Sequence, residues 1–159
     1  MMNAQTKTEA RPELTIRRVF DAPKDLVFDC WTREEHMSKW FFPRDFTVPF
    51  SHSDVRTGGS YRSCLRAPDG TDHWVAGTYK EVIPHDRIVF THAWQDEEGN
   101  SEHETIVTIT LKDLGDGRTQ LTFHQAFFLS EASRDGHAGG WNESFDNLEV
   151  YLAGREAAR

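Results

Sequence analysis

This chain has only two cysteines, Cys30 and Cys64, too few for a disulfide framework and not in a metal-binding spacing. Cys30 falls in an expected helix and Cys64 in an expected strand; two buried thiols in a reducing compartment are the favoured reading, with a disulfide between them as the alternative. No run approaches the apolar length that spans a bilayer, and Met1 through Glu13 lacks the apolar centre of a signal peptide, so the expected location is cytoplasmic. Basic residues are in deficit as well. A net charge of −8 leaves no clustered lysine and arginine to release counterions from nucleic acid or to dock on an anionic membrane. Proline is scarce, with 6 residues, and Pro12, Pro23, Pro43, Pro68 and Pro84 mark element boundaries.

With 159 residues, one core is within reach without staples. Residues 1 to 12 are expected to be a disordered lead, 13 to 154 a single domain and 155 to 159 a tail. Leu14 to Phe20 alternates as a first strand. Pro23 opens a short helix with Val27, Phe28 and Trp31 inward. Thr32 through Glu35 fits a capping box that starts a second short helix carrying Met37, Trp40 and Phe41, and Pro43 ends it. Six further strands follow: Phe46 to Val55, Tyr61 to Arg66, His73 to Ile83, Arg87 to Trp94, Glu102 to Lys112, and Thr119 to Ala126. The breaks between them, such as Pro68-Asp69-Gly70 and Gly115-Asp116-Gly117, are short turns, which makes neighbouring strands antiparallel.

The last segment changes period. Trp141, Phe145, Leu148 and Leu152 recur at four, three and four residues, one apolar stripe on a helix. Gly139-Gly140 ahead of it costs roughly 1–2 kcal/mol of helix propensity and suggests a helix start, a kink or a close approach. The strands place Ile88, Phe90, His92 and Trp94 on one face with Val107, Ile109, Leu111, Leu121 and Phe123, and smaller, Thr-rich residues on the other. The fold class is therefore α+β, a one-sided antiparallel sheet covered by one long helix. A curved sheet and a straight helix diverge toward one end, and rigid rings bridge the gap poorly, leaving a hollow.

Ordered along nearly the whole chain are Phe20-Asp21-Ala22-Pro23, Val27-Phe28, Trp31-Thr32, Trp40-Phe41, Asp54 through Tyr61, Gly77 through Pro84, Arg87 through Thr91, Gly117 through Thr122, and Gly140-Trp141. In these stretches the chain resembles the homologues of the activator of heat-shock protein 90 ATPase, within the START-like (SRPBCC) superfamily. The resemblance implies the helix-grip fold, in which a curved antiparallel sheet wraps a long C-terminal helix over a cavity, with two short helices after the first strand. Relatives of that kind bind lipids, plant hormones or polyketides, some are cyclases or aromatases, and the family name implies a chaperone partner and a stress response.

Motifs for chemistry are few. The eight histidines form no metal-ligand spacing, no Gly-x-Ser-x-Gly elbow occurs, and the glycine pairs do not follow a phosphate-cradle pattern, so neither a metal nor a cofactor is expected. His92 is the polar residue to single out: it shares a face with Phe90 and Trp94, as a core histidine with a partner, an orienting hydrogen bond or a general base. Tyr79 and Glu81 share a face of the preceding strand, and a buried Glu81 needs a partner such as Arg62 or His92.

Three functional readings result. The favoured one is non-enzymatic binding of a small apolar or aromatic molecule between sheet and helix, lined by Trp40, Tyr61, Tyr79, Phe90, His92, Trp94, Phe123, Trp141 and Phe145. The second is a protein-interaction module acting on a chaperone ATPase through the acidic exterior. The third is a cyclase-like or hydrolytic enzyme with His92 or Glu81 as base. Edge strands and outward aromatics such as Trp74 leave a homodimer open.

Overall fold

The computed structural model describes residues 11–158. The chain runs β1 (Leu14–Phe20), α1 (Lys24–Thr32), α2 (Glu34–Met37), β2 (Thr47–Ser53), β3 (Ser60–Arg66), β4 (Asp72–Ile83), β5 (Arg87–Gln95), β6 (Thr105–Asp113), β7 (Thr119–Ala126) and α3 (Glu131–Ala158). The seven strands form one curved antiparallel sheet in the order β1-β7-β6-β5-β4-β3-β2, with α3 against its concave face. The expected strands are all present, their ends moved by no more than three residues. Most of the expected lead, residues 1–10, lies outside the described residues. Pro12 at its end is held, its carbonyl accepting from the Phe128 amide at 3.2 Å.

Alternation dictates the core. Ile88, Phe90, Val107, Ile109, Leu111, Leu121 and Phe123 are buried on the inner face and meet Trp141, Phe145, Leu148 and Leu152 of α3. From the other side α1 adds Val27, Phe28 and Trp31. On the outer face Phe50 packs on Trp74 and the Arg62 guanidinium lies 3.8 Å over the Trp74 ring, so that indole is covered from within the chain.

Two irregularities bend the sheet. The β4–β5 register shifts between Tyr79 and Glu81, and β2–β3 shifts between Thr47 and Phe50, as bulges do where strands curve. At Gly77 a Cβ would sit 1.8 Å from the Thr91 carbonyl oxygen and 2.5 Å from the Tyr61 ring, so only glycine allows β4 to cross so closely.

Four expectations are corrected. Thr32 is not a helix cap: its hydroxyl donates back to the Phe28 carbonyl at 3.0 Å, and α2 starts after Arg33 with no side-chain cap. Glu35 therefore has no capping partner, while Glu34 accepts from the Ser53 amide at 2.7 Å and ties α2 to β2. Gly139-Gly140 is not a helix start. α3 begins at Glu131, where the Ser130 hydroxyl accepts from the Ser133 amide at 3.1 Å in the manner of an N-cap. Residues 155–158 continue that helix rather than forming a tail.

Candidate functional site

A cavity of about 320 Å³ opens between the first three turns of α3, the ends of β3 and β5, and the segment after α2. Phe41, Phe42 and Pro43 make one wall, with Leu65, His92 and Trp94 opposite. The helix side is mostly small: Ala132, Ser133, Gly136, Gly140 and Ser144, then His137 and Trp141. At Gly136 a Cβ would meet nothing within 4 Å, and at Gly140 only Pro43 at 3.9 Å, so these glycines leave space that larger side chains would fill. The wall after α2 is fastened to the helix. Asn147 donates to the Phe42 carbonyl at 3.0 Å, Glu143 accepts from the Arg44 amide at 2.9 Å, and the Arg44 guanidinium lies 3.5 Å from Asp146.

The ring nitrogens around the cavity are engaged with one exception. Ser133 presents a carbonyl to His137 Nδ1 at 2.7 Å; a carbonyl only accepts, so the proton sits on Nδ1. His137 Nε2 is then free to accept from the Trp94 indole N–H at 3.1 Å. Deeper, the Trp141 N–H donates to Gln125 at 2.9 Å, Gln125 donates to the Thr105 hydroxyl at 2.8 Å, and Thr105 donates to the His92 carbonyl at 3.0 Å. This buried relay fixes the Trp141 ring, and through it the cavity floor, to β6, β7 and β5.

His92 is the exception. Its side chain is at the cavity with 5% exposure, and its ring nitrogens make no hydrogen bond among the described residues. Its ring lies 5.7 Å from both Trp94 and Trp141 and 5.9 Å from His137. Burial, and to a smaller degree the neighbouring His137, pushes its pKa down to about 3, so the ring is neutral near pH 7. Behind the wall formed by His92, Trp94 and His137 lies a second cleft of about 140 Å³, reached by Glu102, His103 and Leu129.

The nine residues expected to line a site separate into three sets. His92, Trp94 and Trp141 border the cavity. Tyr61, Tyr79 and Phe90 surround a small internal void behind Phe41, together with Trp31 and Met37. Trp40, Phe123 and Phe145 are fully buried in the solid core, and the Trp40 N–H is consumed by the Cys30 carbonyl at 2.9 Å. Glu81 does not face inward: the bulge after Tyr79 turns it to the outer side opposite Val89, where it accepts from Arg87 at 2.7 Å. It needs neither Arg62 nor His92, and it is not a cavity base. Cys30 and Cys64 are unpaired buried thiols, and burial raises Cys30 to about 12.

Sequence reasoning missed His137, Gln125 and the small residues of the first α3 turns. The signal for His137 was its place one turn before Trp141, since positions four apart share a helix face. For Gln125 it was an amide two residues after Phe123, on the inward side of β7.

With this geometry in place, the chain can be set beside known proteins. It matches the family described as Activator of Hsp90 ATPase homolog 1-like protein over residues 21–153. The chain belongs to this family. Among solved structures, a Chromobacterium violaceum protein is 26% identical with a TM-score of 0.76, covering 89% of this chain and 97% of its own. The AHSA1 protein of Silicibacter pomeroyi has a TM-score of 0.80 at 22% identity, covering 89% of this chain and 98% of that one. An Arthrobacter aurescens protein reaches 0.81 at 23% identity, covering 89% and 86%. Among curated proteins none matches. The fold is START-like, and one such scaffold serves unrelated activities, so the fold alone does not assign one.

Proposed function

We propose that this family member is a non-enzymatic binding protein for a small apolar or aromatic molecule held between the sheet and α3. The observation that carries the reading is the 320 Å³ cavity itself, bounded by indole and phenyl rings on two sides and by glycine on the third. Its size is at the lower end of small-molecule sites and corresponds to about ten waters, or one or two fused rings in their place. Each Å² of apolar ligand surface withdrawn from water contributes about 25 cal/mol, so a ring system covering the Trp94 and Trp141 walls gains affinity without catalytic groups.

The machinery for turnover is thin. Glu81 is on the outer face, and His92 has a pKa too low for an effective base at neutral pH. Binding is the better-supported activity.

Native mass spectrometry of the protein purified from its own host tests the reading. The expected result is a retained small molecule of fixed mass that is absent from a Gly140→Leu variant, whose added side chain occupies the cavity. A bare protein mass in every preparation, together with no binding of any one- or two-ring compound, would overturn it.

A further inference from the structure

The lining of the cavity also specifies the charge and polarity of what it takes, on the premise that it is a binding site. Among the described residues that line it there is no aspartate, glutamate, lysine or arginine. An anion would leave water without a counter-charge, which is strongly unfavourable in a site walled by rings, and a cation would have only ring faces to replace its hydration. The chain's net charge of −8 adds to the penalty for an anion.

The neutral hydrogen-bonding capacity is equally restricted. Four ring residues with N–H or N groups border the space. Trp94 and His137 satisfy each other, His137 also uses the Ser133 carbonyl, and Trp141 is taken by Gln125. Of these rings His92 alone is left, nine-tenths buried and without a partner among the described residues. Among the described residues its nitrogens are not in the set of fully enclosed orphan atoms, which are Trp31 Nε1 and Ser53 Oγ, and its side chain borders both the cavity and the second cleft. A buried polar ring that has lost water and gained no partner is the group a ligand would satisfy. Ser144 stands one helical turn from Gly140 on the same wall, also buried, and adds a neutral hydroxyl beside that imidazole.

We infer that the ligand is an uncharged ring compound bearing a hydroxyl or carbonyl oxygen, and that this oxygen hydrogen-bonds the His92 imidazole. A neutral imidazole offers one donor and one acceptor, so a hydroxyl answers either tautomer, while a carbonyl requires the N–H. His92 is thereby the specificity-determining residue, and the indole faces supply the affinity.

Four probes of one shape separate the terms by calorimetry at pH 7: naphthalene, 2-naphthol, 2-naphthoate and 2-naphthylmethylammonium. Wild-type protein is expected to bind 2-naphthol at least tenfold more tightly than the carboxylate or the ammonium. In His92→Phe, which keeps a ring of similar shape, 2-naphthol loses about five- to tenfold, the range of one neutral hydrogen bond. Naphthalene changes by less than about twofold. Charged probes that bind as well as 2-naphthol, or an equal loss for naphthol and naphthalene in the variant, would overturn the inference while leaving a cavity that binds rings. Failure of all four probes on folded wild-type protein would remove the binding reading together with it.

Discussion

The residue with the clearest thermodynamic signature is His92. In the unfolded chain it takes a proton below about 6.5, and in the folded protein only near 3. The unfolded state therefore binds more protons throughout that window. The His92 contribution is fully present above pH 6.5 and is lost as pH falls toward 3, by at most about 1.4 kcal/mol per unit. His36, whose pKa is also lowered, first by burial and then by Arg155, acts in the same direction. Urea unfolding at pH 7 and pH 5 should show His92→Phe losing about 2 kcal/mol less than wild type over that interval. Equal losses would mean that His92 is hydrated in the native state. His92 was legible in the sequence because it alternates with Phe90 and Trp94. Its lack of a partner was not, because that depends on Trp94 donating to His137 and Trp141 donating to Gln125, pairings that join β5, α3 and β7.

At the scale of the element, α3 explains both what could be read and what could not. From Trp141 onward it carries the Trp141, Phe145, Leu148, Leu152 stripe because it packs on a filled core, and packing enforces periodicity. Its first ten residues carry no stripe and three glycines, because they face an open space rather than side chains. The periodic signal stops where the partner surface stops, and the Ser130 cap was the remaining mark of the true start. Glu81 failed for a related reason. Strict alternation holds only without a bulge, and the shift after Tyr79 reverses the face. A consequence at this scale concerns Gly139, which is exposed in mid-helix with nothing near its missing Cβ. Gly139→Ala should stabilise the protein by about 1 kcal/mol, read as a raised urea midpoint. No gain would indicate that the helix is frayed at that turn.

For the whole molecule, the order of strands and helices follows from short turns and one change of period, which is why the fold was legible almost throughout. The site was legible only in part. Of the nine expected residues, three border the cavity, three surround the smaller void behind Phe41, and three fill the core. Which aromatics pack and which leave room is decided by where the bent sheet leaves the helix, and that is a property of the assembled layers rather than of any one segment. The small helix wall and the loop fastened by Asn147 and Glu143 place the opening at one end of the molecule.

That space is the central claim, and a pair of glycine variants measures it most directly. Calorimetric titration of 2-naphthol into wild type, Gly139→Ala and Gly140→Leu compares an exposed methyl with a side chain that enters the cavity. Unchanged affinity in Gly139→Ala and at least a twentyfold loss in a folded Gly140→Leu is the predicted result. Equal affinity in all three would place the ligand elsewhere and contradict the account.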